Sequence, residues 1–227
     1  VLSGSKFMVP DAAQATWIAV VGSDAGRDAV VALVAGSDVT AQAQASHALI
    51  DLTKRASTLD FTGVKAQRVL SGDKVASAIR DYLLIGALLT AAEAVGSTSA
   101  CLAGIVDYLK TRKQFGKLIG SFQALKHPTV DIYVGMEHSR SLVYHASSEI
   151  DDGPLSTEAE VACRMAKAKA SDTIQYAGDR SVQFHGGFGF TWECDSSLFI
   201  RRAAWSQQQF GDAMHHRKRL APLLLDA

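Results

Sequence analysis

Arg112-Lys113-Gln114-Phe115-Gly116-Lys117-Leu118-Ile119-Gly120-Ser121-Phe122-Gln123 is the stretch around which the rest of the chain is organised. It closes one very long helical pattern and opens the next. A guanidinium, two amides and two aromatic rings therefore fall within a single helix–helix corner. Arg forks onto phosphate oxygens, and amides carry donors and acceptors for the edge of a heterocycle, so such a corner suits a large, anionic, partly aromatic ligand. Spacing alone favours a plain helix hairpin with a solvated Arg; the rest of the chain decides between the two.

Upstream, apolar or small residues fall at positions 84, 88, 91, 95, 98, 102, 105 and 109. This alternation of fours and threes is a helix seam of the bundle type. Asp73 is a good N-cap and no proline follows until Pro128, which predicts a helix over about 74 to 112. At 1.5 Å per residue it would be roughly 58 Å long and would need partners along its length. Downstream, a second helix is expected from about Phe122 to Ile150, with Pro128 in its first turn or at a kink. Asp151-Asp152-Gly153-Pro154 is a stop. Thr157 and Glu160 have capping-box spacing, with Thr157 at the N-cap of a third helix that runs to about Phe184 and ends at Gly186-Gly187. Shorter helical stretches follow near 195–208 and 212–224.

Before Ser71-Gly72-Asp73 the character is different. Ala15 to Val21 and Ala29 to Val34 read as strands flanking a hairpin turn at Ser23-Asp24-Ala25-Gly26. Val39 to Gln44 and Thr58 to Val64 are further strand candidates, and the chain opens as if part-way into a strand. Four or five short strands with hairpin-length connections predict an antiparallel sheet. The expected fold class is thus α+β: a partial β-domain over 1–72, then an up-down helical bundle over 73–227.

The chain is 48% hydrophobic, 20% charged and formally neutral, which supports a sizeable core. Neutrality without a basic stripe argues against nucleic-acid binding. Charge interrupts every long apolar segment, so no membrane span is expected. Cys101, Cys163 and Cys194 are odd in number and lack CxxC spacing, reading as thiols of a reducing, cytoplasmic compartment and not as zinc ligands. His138 and His145 are seven apart, too far for a shared metal without other ligands. His215-His216-Arg217-Lys218-Arg219 reads as a solvated basic face near a helix C-terminus. The start at Val1 does not look like a signal peptide, and the chain is read as part of something longer.

A second candidate site is Gln183-Phe184-His185-Gly186-Gly187-Phe188-Gly189. Paired glycines at a helix end let backbone amides approach a ligand, and Gln183 can read a heterocycle edge. It is not GxGxxG, and no parallel β-α unit precedes it. Arg-x-Gln-Phe-Gly…Phe-Gln followed by Gln-x-His-Gly-Gly-x-Gly resembles the helical C-terminal domain of flavin-dependent acyl-CoA dehydrogenases. Leu2-x-Gly4-x-Lys6-x-x-Val9 is similar to the family's middle β-domain, and Glu193, Arg201-Arg202-Ala203, His216-Arg217 and Leu220-Ala221 also fit. The resemblance covers essentially the whole chain.

That resemblance implies FAD bound between β-domain and bundle, with its ADP half reaching a neighbouring subunit. Arg112 would face the pyrophosphate with Gln114, Phe115, Phe122 and Gln123 beside it, and Gln183, Phe184, His185, Gly186 and Gly187 would line the adenosine diphosphate moiety. It also implies an oligomer, an acyl-CoA substrate and an electron-transfer flavoprotein as a further partner. The family's N-terminal helical domain and the first half of its β-domain are absent from this chain, and Leu2 stands where a flavin-contacting Thr or Ser would. The family's catalytic Glu, which removes the α-proton while hydride leaves the β-carbon, occupies one of two positions. These are Gly86 and Phe210 here, and neither can abstract a proton. Glu93 points nearly opposite to Gly86 on the helix and reads as structural; Asp212 is the one substitute base. The chain therefore resembles the non-catalytic subunit of heteromeric (α2β2) actinobacterial steroid-type enzymes. A self-sufficient homo-oligomer using Asp212, and a flavin-free scaffold of the same fold, are the competing readings.

Overall fold

The computed structural model describes residues 1–40 and 45–225, and the chain divides into two compact units, Val1–Asp81 and Tyr82–Ala227. The first unit holds two three-stranded antiparallel sheets where the sequence predicted one. In one, β1 (Ser5–Pro10) and β4 (Ala45–Ser46) flank β5 (Ala56–Asp60); in the other, β2 (Trp17–Ser23) and β6 (Arg68–Leu70) flank β3 (Ala29–Ala35). The predicted hairpin is present, in register from Trp17↔Ala35 to Ser23↔Ala29. Its turn is closed by Asp24, whose backbone N–H donates to the Asp28 carbonyl and whose side chain accepts the Asp28 N–H. The strands share a core of Val20, Val34, Leu59, Phe61 and Val64.

Two strand expectations change. The strand expected over Val39 to Gln44 is not there at its start: Val39 and Thr40 end a short helix, α1 (Gly36–Thr40), which tucks Val39 into the core; residues 41–44 lie outside the described residues. The strand expected to reach Val64 stops at Asp60. There the Asp60 carboxylate accepts both the backbone N–H and the hydroxyl of Thr62, an Asx turn that replaces the ladder. Those bonds also hold the Asp60 carboxyl below its usual range.

Helix α2 runs Asp73–Thr111, 39 residues, with Asp73 its first residue. Leu84, Leu88, Ala91 and Val95 on its seam pack with Val143, Cys163 and Ile174, while Cys101, Ile105 and Leu109 continue the stripe into a second cluster with Ile132 and Phe184. By length and apolarity alone part of α2 would suffice to cross a bilayer, contrary to the sequence expectation, yet this face is consumed by the helical core. After α2 comes a miniature hairpin, β7 (Lys113–Gln114) and β8 (Lys117–Leu118), which the sequence did not announce. Helices α3 (Gln123–Ser148), α4 (Thr157–His185), α5 (Ser196–Gln208) and α6 (Ala213–Leu225) complete the second unit. Pro128 is the sixth residue of α3, past the first turn. The cap of α4 is Ser156, one residue before the expected Thr157: its hydroxyl accepts the Ala159 N–H at 3.1 Å, and Thr157 is the first helical residue. Small residues let α3, α5 and α6 all pack on α4, with Ala159, Ala162, Ala166, Ala170 and Ala177 buried along it.

Candidate functional site

The helix–helix corner is built by a two-residue turn. Phe115 and Gly116 have φ of 53° and 77°, the left-handed pair of a type I′ hairpin turn, and Lys113 pairs with Leu118. Asn-Gly would be the relaxed choice there. A phenylalanine in this conformation is a local strain of the kind that accompanies function, and it leaves the Phe115 ring 91% exposed at the tip. The Ile119 N–H donates to the Arg112 carbonyl and brings the chain back beneath the hairpin. The Phe122 ring then meets Phe115 edge-on at 6.2 Å, with the Lys117 ammonium 4.9 Å from its centre.

Facing this corner is the C-terminal end of α4. Gly186 terminates the helix with φ 60° and ψ −142°, a conformation almost exclusive to glycine, and its N–H donates to the Gln183 carbonyl. His185 is fixed from two sides: Nδ1 donates to the Ser181 carbonyl at 2.7 Å, and the ring stacks on Tyr108 at 4.2 Å and 28°. Tyr108 lies one turn before Arg112 on α2.

Between the two elements is an open cleft of about 790 Å³. Of the cofactor-contacting residues expected from sequence, Arg112, Gln114, Phe115, Phe122, Gln183, Phe184, His185, Gly186 and Gly187 all line it. Gln123 does not; it is the exposed first residue of α3. Sequence reasoning missed Tyr108, Ile119, Leu125 and Phe188. Tyr108 could have been found as the residue one turn before Arg112, on the same helical face. Among the described residues no carboxylate pairs with Arg112. The cleft thus offers a guanidinium, two amides, an imidazole and aromatic walls, a set matched to a diphosphate joined to a heterocycle.

The second location is the place where a catalytic carboxylate was sought. Gly86 and Phe210 are in contact: a Cβ built on Gly86 would lie 2.3 Å from Phe210 Cε1. The Tyr82 ring meets Phe210 edge-on at 6.0 Å. Phe210 has φ 57° and belongs to the tight α5–α6 connection. The end of α5 that leads into it is held by a side chain that no motif singles out. Lys167 of α4 is 1% exposed, and its ammonium donates to Ser171 Oγ at 2.8 Å and to the Ser206 carbonyl at 3.1 Å. Burial pushes it down to about 8, against the opposing pull of the Asp212 carboxylate.

Asp212 itself acts as a helix cap, Oδ1 accepting the His215 N–H at 2.7 Å at the start of α6. His216 is 2% exposed, so the basic run 215–219 is neither uniformly solvated nor near a helix C-terminus; it occupies the first two turns of α6. The His216 Nε2 donates to the Phe210 carbonyl at 3.1 Å, and Nδ1 is buried without a partner among the described residues. Burial first, then the charges of Lys167, Arg164 and His215, push this imidazole down to about 4. Glu93 pairs with Arg202 of α5, a structural role. The three cysteines are buried thiols, with burial pushing Cys101 and Cys163 up to about 11. Among the described residues no group of three or more His, Cys, Asp or Glu could hold a metal.

Comparison with known proteins places these features. Acyl-CoA dehydrogenase IpdE2 of Mycolicibacterium smegmatis is 39% identical over 134 residues, 59% of this chain and 40% of that protein. The protein of the same name from Mycobacterium tuberculosis is 43% identical over 122 residues, 54% of this chain and 36% of that one. The chain thus spans well under two thirds of the length of these relatives. Its fold is that of the ChsE4-ChsE5 complex from Mycobacterium tuberculosis, with a TM-score of 0.86 at 23% identity over 100% of this chain and 60% of that one. Residues 76–222, which include both the cleft and the Gly86–Phe210 contact, match the family described as "Acyl-CoA dehydrogenase, C-terminal domain", and the chain belongs to the acyl-CoA dehydrogenase family.

Proposed function

We propose that this chain is a subunit of an FAD-dependent acyl-CoA dehydrogenase that desaturates an acyl-CoA thioester between its α and β carbons, and that it contributes cofactor contacts to a homologous, catalytic partner. The observation that carries the reading is the Gly86–Phe210 contact. One of the family's two carboxylate positions has no side chain, and the other's phenyl ring fills the space above it. Asp212, the substitute, already accepts a backbone N–H as the cap of α6. In the cleft, by contrast, the groups suited to the ADP half of FAD are present and open.

Arg112 would hold the pyrophosphate, Gln114 and Gln183 would orient polar edges, and Phe115, Phe122 and Tyr108 would exclude water from the ring system. FAD, when bound, accepts the hydride of the desaturation; the partner would provide the base that takes the α-proton. Phe115, Phe190 and Trp192 are widely exposed, Phe115 within the cleft and the other two just beyond the Gly186 turn, which suits burial against another chain. The ChsE4-ChsE5 complex, which shares the fold, supports an assembly with more than one kind of chain.

The test is co-expression with a homologous chain that carries the family's glutamate. The expected result is a yellow complex whose flavin is bleached by acyl-CoA, with flavin lost in Arg112→Ala. A chain that alone retained flavin, reduced it with acyl-CoA and lost turnover in Asp212→Asn would establish the homo-oligomeric alternative instead. A complex that stayed colourless would leave only a scaffold.

A further inference from the structure

We infer that His185 is a specificity-determining acceptor in the cleft, selecting a ligand that presents an N–H or O–H donor to its Nε2 atom; this rests on the reading of the cleft as a site for the ADP half of FAD. A carbonyl oxygen can only accept, so the 2.7 Å contact from His185 Nδ1 to the Ser181 carbonyl assigns the proton to Nδ1. In the neutral imidazole the lone pair then lies on Nε2. Among the described residues Nε2 has no hydrogen-bond partner, and the ring lines the cleft. The orientation is not free to relax, because the Tyr108 ring lies against the imidazole face at 4.2 Å and 28°.

The cleft is thereby divided by polarity. At one side Arg112 offers N–H groups to anionic oxygens; at the other His185 offers a lone pair. A ligand that is phosphate throughout would place oxygen against nitrogen lone pair at His185. A nucleoside diphosphate has both matches, with an exocyclic amine on adenine and hydroxyls on ribose as the two donor sources. Tyr108 acts through the histidine as its positioning residue.

The experiment uses three probes on the chain itself, followed by NMR titration at about pH 8, where an ordinary imidazole is neutral. ADP carries the amine, IDP replaces it with a carbonyl acceptor, and 2′,3′-dideoxy-ADP lacks both ribose hydroxyls. ADP is expected to bind roughly fivefold more tightly than one of the other two, the scale of a single hydrogen bond. IDP as the weak one assigns the amine, and the dideoxy compound assigns a hydroxyl. His185→Phe, which keeps a ring for Tyr108 to stack on, should abolish the preference, and His185→Gln, whose amide oxygen accepts, should restore part of it. Equal affinity for all three probes overturns the inference, as does tighter IDP binding, which would make Nε2 a donor. A preference that persisted in His185→Phe would overturn it too. The wild-type comparison needs no variant, so a misfolded mutant does not rescue the inference. Should ADP fail to bind wild type and Arg112→Ala alike, the cofactor reading of the cleft itself is lost.

Discussion

Two points along the long helix contrast: Gly86, within α2, and Arg112, which follows its last residue. Arg112 and Gly86 are separated by roughly 39 Å along the helix axis at 1.5 Å per residue, and each faces a site position of the family. At the Arg112 end, a guanidinium, amides and an imidazole nitrogen stand open, around a hairpin tip held in a left-handed conformation. Around Gly86, aromatic rings close over a bare backbone, and a buried lysine ties down the end of α5 that leads to one of them. The first leaves the Arg112 guanidinium without a carboxylate partner among the described residues. The second is complete in itself. On the function proposed above, one half of a family site stays open while the other half turns into ordinary packing.

The largest expected effect tests how firmly the closed end is held. Lys167→Ala removes three donors from buried acceptors and leaves a cavity, which should cost about 3 kcal/mol and lower Tm by on the order of 10 °C in a thermal melt. Lys167→Met, which keeps the volume, should cost less. Loss of fewer than about 3 °C in the Ala variant would mean that the connection is held by other contacts.

Acid should loosen the same end. His216 keeps its proton off until about pH 4 in the folded chain, whereas an unfolded histidine takes one near 6.5, so between those values the unfolded state binds more protons. Stability is therefore full above about 6.5 and falls as pH drops toward 4, by about 3 kcal/mol in all. A His216→Phe variant should show a flatter melting profile across this window; an unchanged profile would contradict the assignment.

The contact itself is testable by a double-mutant cycle. Gly86→Ala should cost about 2 kcal/mol by driving a methyl into the Phe210 ring, and in a Phe210→Ala background the same change should be nearly neutral. Additive effects measured by denaturant titration would show that the ring moves aside freely.

The smallest effect belongs to the open end. Phe115→Asn places a residue tolerant of positive φ in the type I′ turn and should stabilise the chain by about 0.5 kcal/mol while weakening ADP binding. A variant that gained stability and lost no affinity would separate the strain at the tip from the ligand.

The sequence made some of this legible and not the rest, for physical reasons. The helices could be read because their seam recurs over many turns; the short final pair is found within a residue or two of its expected bounds. The cleft residues could be read because Arg112–Phe122 and Gln183–Gly187 are two contiguous motifs. The β7–β8 hairpin could not, since two residues per strand carry no periodicity. Nor could Lys167, set among alanines and other lysines: its burial is decided by carbonyls of α5. Val39 was misread because a β-branched residue fits a buried helix end as well as a strand. The emptiness of positions 86 and 210 was visible as two separate absences; that one fills the other is a tertiary fact.

That interlock imposes an order on descent. A glutamate cannot arise at position 86 while the Phe210 ring occupies the space of its first side-chain carbon, whereas position 210 can change with Gly86 left as it is. The route by which a carboxylate could be placed at position 86 is thus gated: until the ring moves or goes, any side chain there is driven into it. The contact works as a ratchet: a one-residue step at position 210 is open at any time, and the step at position 86 only after it.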